Sequence, residues 1–163
     1  MKKAAKTNGM HIAMRIGSYQ DRELGKDVIE AHNDVLKRQG TVYFGKAGRG
    51  LSADKLQRVR NSMFDGASCN LVVIRRLKSG YQCFLAPIVS LPSSSFRPEL
   101  RFVPSYYHDL VKEIELWIEV AAFTLSNANL LESLALASNS RPLLETLGSC
   151  RTSLMLVTEE TVQ

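Results

Sequence analysis

Three cysteines, Cys69, Cys83 and Cys150, are too few and too far apart for a disulfide framework, and none has the CxxC spacing of a structural zinc site. Each is flanked by apolar, strand-like residues, where a free cysteine behaves as a small buried hydrophobe. The three histidines, His11, His32 and His108, show no HxxxH or HxE relation, so no metal and no cofactor is expected. A GxSxG elbow, a GxxxxGK[ST] loop and a GxGxxG fingerprint are all missing, and no cysteine has an evident histidine partner. No apolar stretch reaches the ~20 residues of a membrane span, and the uncharged run Val120 to Leu131 carries Thr124, Ser126, Asn127 and Asn129. The amino terminus, MKKAAKTNG, starts basic but leads into no apolar h-region, so no signal peptide is expected. These absences lead to the expectation of a soluble, cytoplasmic chain with no membrane partner and no chemistry of its own.

The chain has 163 residues, 45% hydrophobic and 23% charged, which is ordinary for one globular domain. The expected organisation is a flexible tail over 1–9, a single domain over 10–158 and a short tail over 159–163. The net charge of +5 is unevenly distributed. Residues 1–80 hold 16 Lys and Arg against 7 Asp and Glu, whereas residues 81–163 hold 5 against 9. Such segregation predicts one positive face suited to a polyanion, the alternative being that the long basic side chains only solubilise the surface.

Met10 to Gly17 alternates with period two and predicts a strand. Asp21 to Gln39 has apolar residues at helical spacing, acids in the first turn, Lys37 and Arg38 in the last, and Gly40 to stop it. Thr41 to Gly45 reads as a strand, and Ser52 as the cap of a second helix whose buried stripe is Leu56, Val59 and Met63 or Phe64. Asn70 to Arg76 and Tyr81 to Leu91 read as a hairpin around Ser79-Gly80. Glu113 to Leu125, Ser133 to Ala137 and Thr152 to Thr158 add strands, with a short helix over Arg141 to Leu147 opened by Pro142. The class is therefore α+β, with a small curved mixed sheet or barrel of about six strands flanked by two main helices.

The loop Gly45-Lys46-Ala47-Gly48-Arg49-Gly50 joins a strand to a helix amino terminus, an arrangement that lets backbone amides and two cations approach a phosphate. A glycine-rich turn imposed by tight geometry is the alternative. Lys55 and Arg58 lie off the apolar stripe of the second helix. Arg75 and Arg76 point to opposite faces of one strand, so they cannot both serve one surface; one can meet a polyanion while the other pairs with a carboxylate or is solvated. Tyr106 and Tyr107 follow Pro104, and the single tryptophan, Trp117, comes soon after; these rings either wall a pocket for a flat base or fill the core.

The order GTVYFGKAGRGLS, then GYQCFLAPIVSL, PSYYHD, ELWIEVAAFTLS and SRPLLETLGSCRTSLMLV resembles the EVE/YTH-like branch of the PUA superfamily over roughly Met10 to Thr158. More narrowly, it is similar to the accessory domains at the front of McrB-like restriction proteins. The resemblance implies a curved β-barrel flanked by helices and a pocket for a modified or flipped base. It carries that pocket onto Trp117 and the Tyr106–Tyr107 pair, with Lys46 and Arg49 on the backbone. It also implies a restriction or phage-defence setting, with any effector on a separate chain.

The expected function is thus a nucleic-acid-binding module, with DNA ahead of RNA. Its phosphates would be held by Lys46, Arg49, Lys55, Arg58 and one of Arg75 or Arg76, and its base by Tyr106, Tyr107 and Trp117. A protein-interaction adaptor or inhibitor in a defence or anti-defence system is the second reading, a small-nucleotide binder the third, and a nuclease the last.

Overall fold

The period-two run Met10–Ile16 forms a strand, β1, yet both of its faces are covered: Ile12 and Met14 enter one core cluster and Ala13 another. The computed structural model describes residues 9–16, 27–48, 50–127, 129–149 and 154–159. The chain continues through helix α1 (Val28–Gln39), strand β2 (Val42–Lys46), helix α2 (Ala53–Phe64) and the hairpin β3 (Asn70–Arg76) and β4 (Tyr81–Ser90). Two short 3-10 turns, Leu100–Phe102 and Ser105–Tyr107, precede β5 (Leu116–Val120) and β6 (Thr124–Ser126). Helix α3 (Asn129–Glu132), β7 (Leu134–Leu136), α4 (Leu143–Ser149) and β8 (Leu154–Glu159) complete it.

These eight strands join one mixed sheet in the order β2-β5-β4-β3-β1-β8-β7, with β6 attached to β4. Among the described residues β1 and β3 run parallel, and every other pair is antiparallel. The order ends on β2 and β7, so among the described residues the sheet is open and no barrel closes. Of the expected small curved mixed sheet or barrel of about six strands with two main helices, the mixed sheet and the two twelve-residue helices are found. Among the described residues, however, the sheet is open and has eight strands, and two shorter helices, α3 and α4, are added. The extra strand comes from Glu113 to Leu125, which the alternation pattern treats as one run. Asn33 on α1 donates to the Phe123 carbonyl at 3.1 Å and accepts from the Phe123 amide at 2.8 Å, and the run breaks there into β5 and β6. A register shift between Ile88 and Ser90 lets β4 take β6 along one half and β5 along the other.

The helix ends follow local chemistry. Gly40 adopts φ 77° and its amide bonds to the Leu36 carbonyl, the left-handed stop that the sequence predicts. The start differs, because Asp27 is extended and α1 begins at Val28; Asp21, Glu23 and Leu24 lie outside the described residues. Ser52 caps α2 by accepting from the Lys55 amide at 3.3 Å. Val59 is buried and Met63 packs on the core, whereas Phe64 is 92% exposed, which decides between the two candidates for the stripe.

Helices α1 and α2 contribute to a cluster with Ile12, Leu71, Val73 and Ile118, while α3 and α4 contribute to another with Val72, Ile74, Cys83 and Val157. The central strands are therefore apolar on both sides, as strands covered by helices on both faces must be. A third cluster, Val103, Tyr107, Val111, Ile114 and Trp117, fills the space between β5 and the segment that precedes it. No helix among the described residues is long and apolar enough to cross a membrane.

Candidate functional site

The loop between β2 and α2 is held from beneath by aromatic rings. Trp117 is 1% exposed, and its indole N–H donates to the Ile114 carbonyl at 3.0 Å. Tyr107 is 5% exposed and meets Trp117 edge to face at 5.2 Å. Its hydroxyl donates to the Gly45 carbonyl at 2.9 Å and lies 3.2 Å from the Gly45 amide, whose N–H it accepts. Burial pushes the Tyr107 phenol up to about 12, so it stays a neutral donor. A β-carbon on Gly45 would stand 2.5 Å from a Trp117 ring carbon, so only glycine fits where β2 crosses the indole face. Tyr106 is half-buried, with its ring 4.4 Å from that of Tyr107 and its hydroxyl 3.4 Å from His32 Nδ1.

Tyr106, Tyr107 and Trp117 are thus brought together, but Tyr107 and Trp117 are packed inside. Of the two roles open to them in the sequence, the geometry of these two rings is that of core. The cause is the stretch 103–114, whose Val103, Val111 and Ile114 cover the Trp117 side of β5. The result is a rigid aromatic support under Gly45, where the loop begins.

Above that support lies an open cavity of about 520 Å³, lined by Gly48, Gly50, Leu51, Ser52, Leu56, Pro92, Ser94, Glu115 and Leu116. This volume falls within the range of small-ligand sites. Lys46, opposite Leu116 in the β2–β5 register, folds its ammonium onto the Ala47 carbonyl. Gly48 has φ 80°, a left-handed turn that brings backbone to the cavity edge. Arg49 lies outside the described residues. Arg60 donates three hydrogen bonds to the Leu91 and Pro92 carbonyls at 2.9 to 3.1 Å, locking α2 against the end of β4 and fixing the Pro92 wall.

Lys55 and Arg58 are exposed on α2 and face a smaller cleft of about 180 Å³ beside Leu136, Thr146 and Leu154. The two hairpin arginines go elsewhere. Arg75 forms an ion pair with Asp27 and sits 5.9 Å from the Phe84 ring centroid, so its charge is committed inside the fold. Arg76 is exposed, but it pairs with Tyr81 at the start of β4. The loop cavity adjoins Pro92, just beyond the other end of that ten-residue strand. At ~3.3 Å per residue the two ends lie roughly 30 Å apart along the strand. Of the six expected phosphate contacts, Lys46 therefore ends β2 where the loop begins, and Lys55 and Arg58 line the cleft on α2. Arg75 is committed to Asp27, and Arg76 lies at the opposite end of β4 from the loop cavity.

His32, His11 and the two described cysteines look inward. His32 is fully buried, stacks on Phe44 at 4.5 Å and donates from Nδ1 to the Val28 carbonyl at 2.8 Å. Desolvation pushes its pKa down to about 4, so the ring is neutral near pH 7, and Nε2 has no hydrogen-bond partner. His11 accepts from the Asn70 amide at 3.0 Å and approaches Glu159 at 3.5 Å; burial lowers its pKa against the pull of that carboxylate. Cys69 and Cys83 are buried, and burial raises the Cys83 thiol to about 11. Cys150 lies outside the described residues. Among the described residues no group of three or more His, Cys, Asp or Glu is arranged to hold a metal ion.

Sequence reasoning missed the cavity walls. Leu56 reads there only as part of the buried stripe of the second helix, and Leu51 and Glu115 carry no site pattern. Their convergence depends on the β2–β5 register and on Arg60, neither of which leaves a local signal. No protein-family model matches the chain, and no curated protein matches it either.

Proposed function

We propose that the chain is a nucleic-acid-binding module that places phosphates along Lys46, Lys55 and Arg58 and admits a base to the cavity beside the β2–α2 loop. The observation that carries this reading is the open cavity bordered by a glycine-rich loop and by Ser52 and Leu56 at the start of α2, the helix that also exposes Lys55 and Arg58. The uneven charge of the chain and its resemblance to the EVE/YTH-like branch support the same reading. Within it, an unpaired or flipped base, modified or not, is the natural occupant, because a base paired and stacked inside a duplex is not free to enter a cavity on the protein. Tyr107 and Trp117 then act through Gly45, holding the loop rather than stacking the base. A restriction or defence setting follows from the resemblance.

The test is fluorescence polarisation with matched single-stranded and duplex oligonucleotides, with and without methylated bases, over a salt series. Binding is expected to weaken with a log–log slope near −0.9 per phosphate neutralised on duplex DNA. Replacing Lys46, Lys55 and Arg58 together by alanine should flatten that slope. An unchanged slope in the triple variant would remove these cations from the interface. A protein adaptor is the second reading, favoured by Phe64, which stands 92% exposed at the end of α2. A chain that binds no oligonucleotide, yet is retained by an acidic protein through Phe64, would displace the first reading by the second.

A further inference from the structure

The walls of the loop cavity carry little charge, and its sign is informative. Leu51, Leu56, Pro92 and Leu116 supply apolar surface, Gly48 and Gly50 supply backbone, and Ser52 and Ser94 supply hydroxyls. Among the described lining residues Glu115 alone is formally charged, and no described residue forms an ion pair with it. Against the described walls a phosphate would meet the Glu115 carboxylate, whereas the Lys46 ammonium stands at the Gly48 rim, so the anionic part of a ligand belongs on the Lys46 side. What fits inside is a flat, neutral ring that turns hydrogen-bond donors toward Glu115. Ser52 adds a second requirement. Its oxygen accepts from the Lys55 amide, which leaves its hydroxyl proton to donate to a ring nitrogen or carbonyl.

We propose that Glu115 makes this cavity selective for nucleobases that carry an exocyclic amino group on their pairing edge, namely cytosine, adenine and guanine, over thymine and uracil. This inference rests on the nucleic-acid reading above. The chemistry is that of donor matching. An ionised carboxylate only accepts hydrogen bonds. The pairing edges of cytosine and adenine offer an amino group, and guanine offers an amino group beside a ring N–H. Thymine and uracil offer one ring N–H flanked by two carbonyl oxygens, which repel the carboxylate.

The experiment uses the full chain and single-stranded oligothymidylates of one length that differ at a single central position: cytosine, adenine, guanine, thymine or an abasic residue. Binding is read by fluorescence polarisation at two salt concentrations, for the wild type and for Glu115→Gln and Glu115→Ala. Glu115 is exposed and just precedes β5, so neither variant removes a core contact. The expected result is that amino-bearing centres bind at least about 5-fold more tightly than thymine, the lower end of what a good base contact supplies. Glu115→Gln should erase that ratio, since its amide can also donate to a thymine carbonyl, and Glu115→Ala should bring every centre close to the abasic strand. Equal, salt-dependent binding of all five strands would overturn the inference while leaving the polyanion reading in place. A preference that survives both substitutions would assign the selectivity elsewhere. Absence of binding to every strand would overturn this inference and the reading beneath it together.

Discussion

Two neighbouring regions flank the start of the β2–α2 loop, and they invert the usual association of residue type with role. On one side Tyr107, Trp117 and half-buried Tyr106, the rings a base-binding protein would be expected to display, form a filled cluster. On the other, aliphatic residues, glycines, two serines and a glutamate enclose open space. Large rings bury the most area, so they are drawn to the interior unless backbone geometry keeps them out. Here the segment 103–114 closes over them. The aromatic side fixes the position of the loop, and the aliphatic side supplies the room.

The sharpest way to break this comparison is Trp117→Ala. If the indole is scaffold, its removal should destabilise the fold by about 3–5 kcal/mol, the range for deleting a large core aromatic. Denaturant unfolding reads this directly; a near-neutral effect would mean that the ring does not support the loop.

A second comparison sets buried His32 against the exposed cations. Its folded-state pKa of about 4 lies below the ordinary 6.5, so below pH 6.5 the unfolded chain takes up a proton that the folded chain refuses. The contribution of neutral His32 is intact above pH 6.5 and is lost as the pH falls toward 4, a change of roughly 3 kcal/mol. Urea midpoints at pH 7 and pH 4.5 should diverge less in His32→Leu than in the wild type. Parallel divergence in both would place the acid sensitivity in other groups.

Gly45→Ala asks whether the two regions are coupled. Three Trp117 ring atoms lie within 2.8 Å of where the new methyl would sit. The cost should be about 1–3 kcal/mol, the range for overpacking. Oligonucleotide affinity should fall beyond what the unfolded fraction explains, because the loop start must shift; affinity that tracks stability alone would separate support from site.

The smallest expected effect is none. Arg76→Ala should leave oligonucleotide affinity and its salt slope unchanged, because Arg76 lies at the far end of β4. A slope that flattens would extend the interface around the sheet and undo the assignment made from strand register.

Elements with local causes are legible in the sequence. The Gly40 stop, the Ser52 cap and the Asn70–Arg76 and Tyr81–Ser90 hairpin depend on residues within a few positions of one another. The start of α1 is not, because Asp21 resembles a first-turn acid, while Asp27 is extended and spends its carboxylate on Arg75. The candidate site is half legible. Lys46, Lys55 and Arg58 follow from loop chemistry and helix periodicity, but the lining residues Glu115, Pro92 and Leu116 have nothing in their surroundings to mark them.

The sequence by itself determined the α+β class, the two long helices with the Gly40 stop of the first and the Ser52 cap of the second, and the hairpin. Tertiary structure alone decided that the sheet stays open among the described residues, that Arg75 is spent on Asp27, and that Tyr107 and Trp117 are interior. The reason is range. Caps, turns and periodicity act over one or two turns of chain, whereas the fate of a ring or a cation depends on what packs against it from afar, as when the Tyr107 hydroxyl grips the peptide of Gly45 across 62 residues.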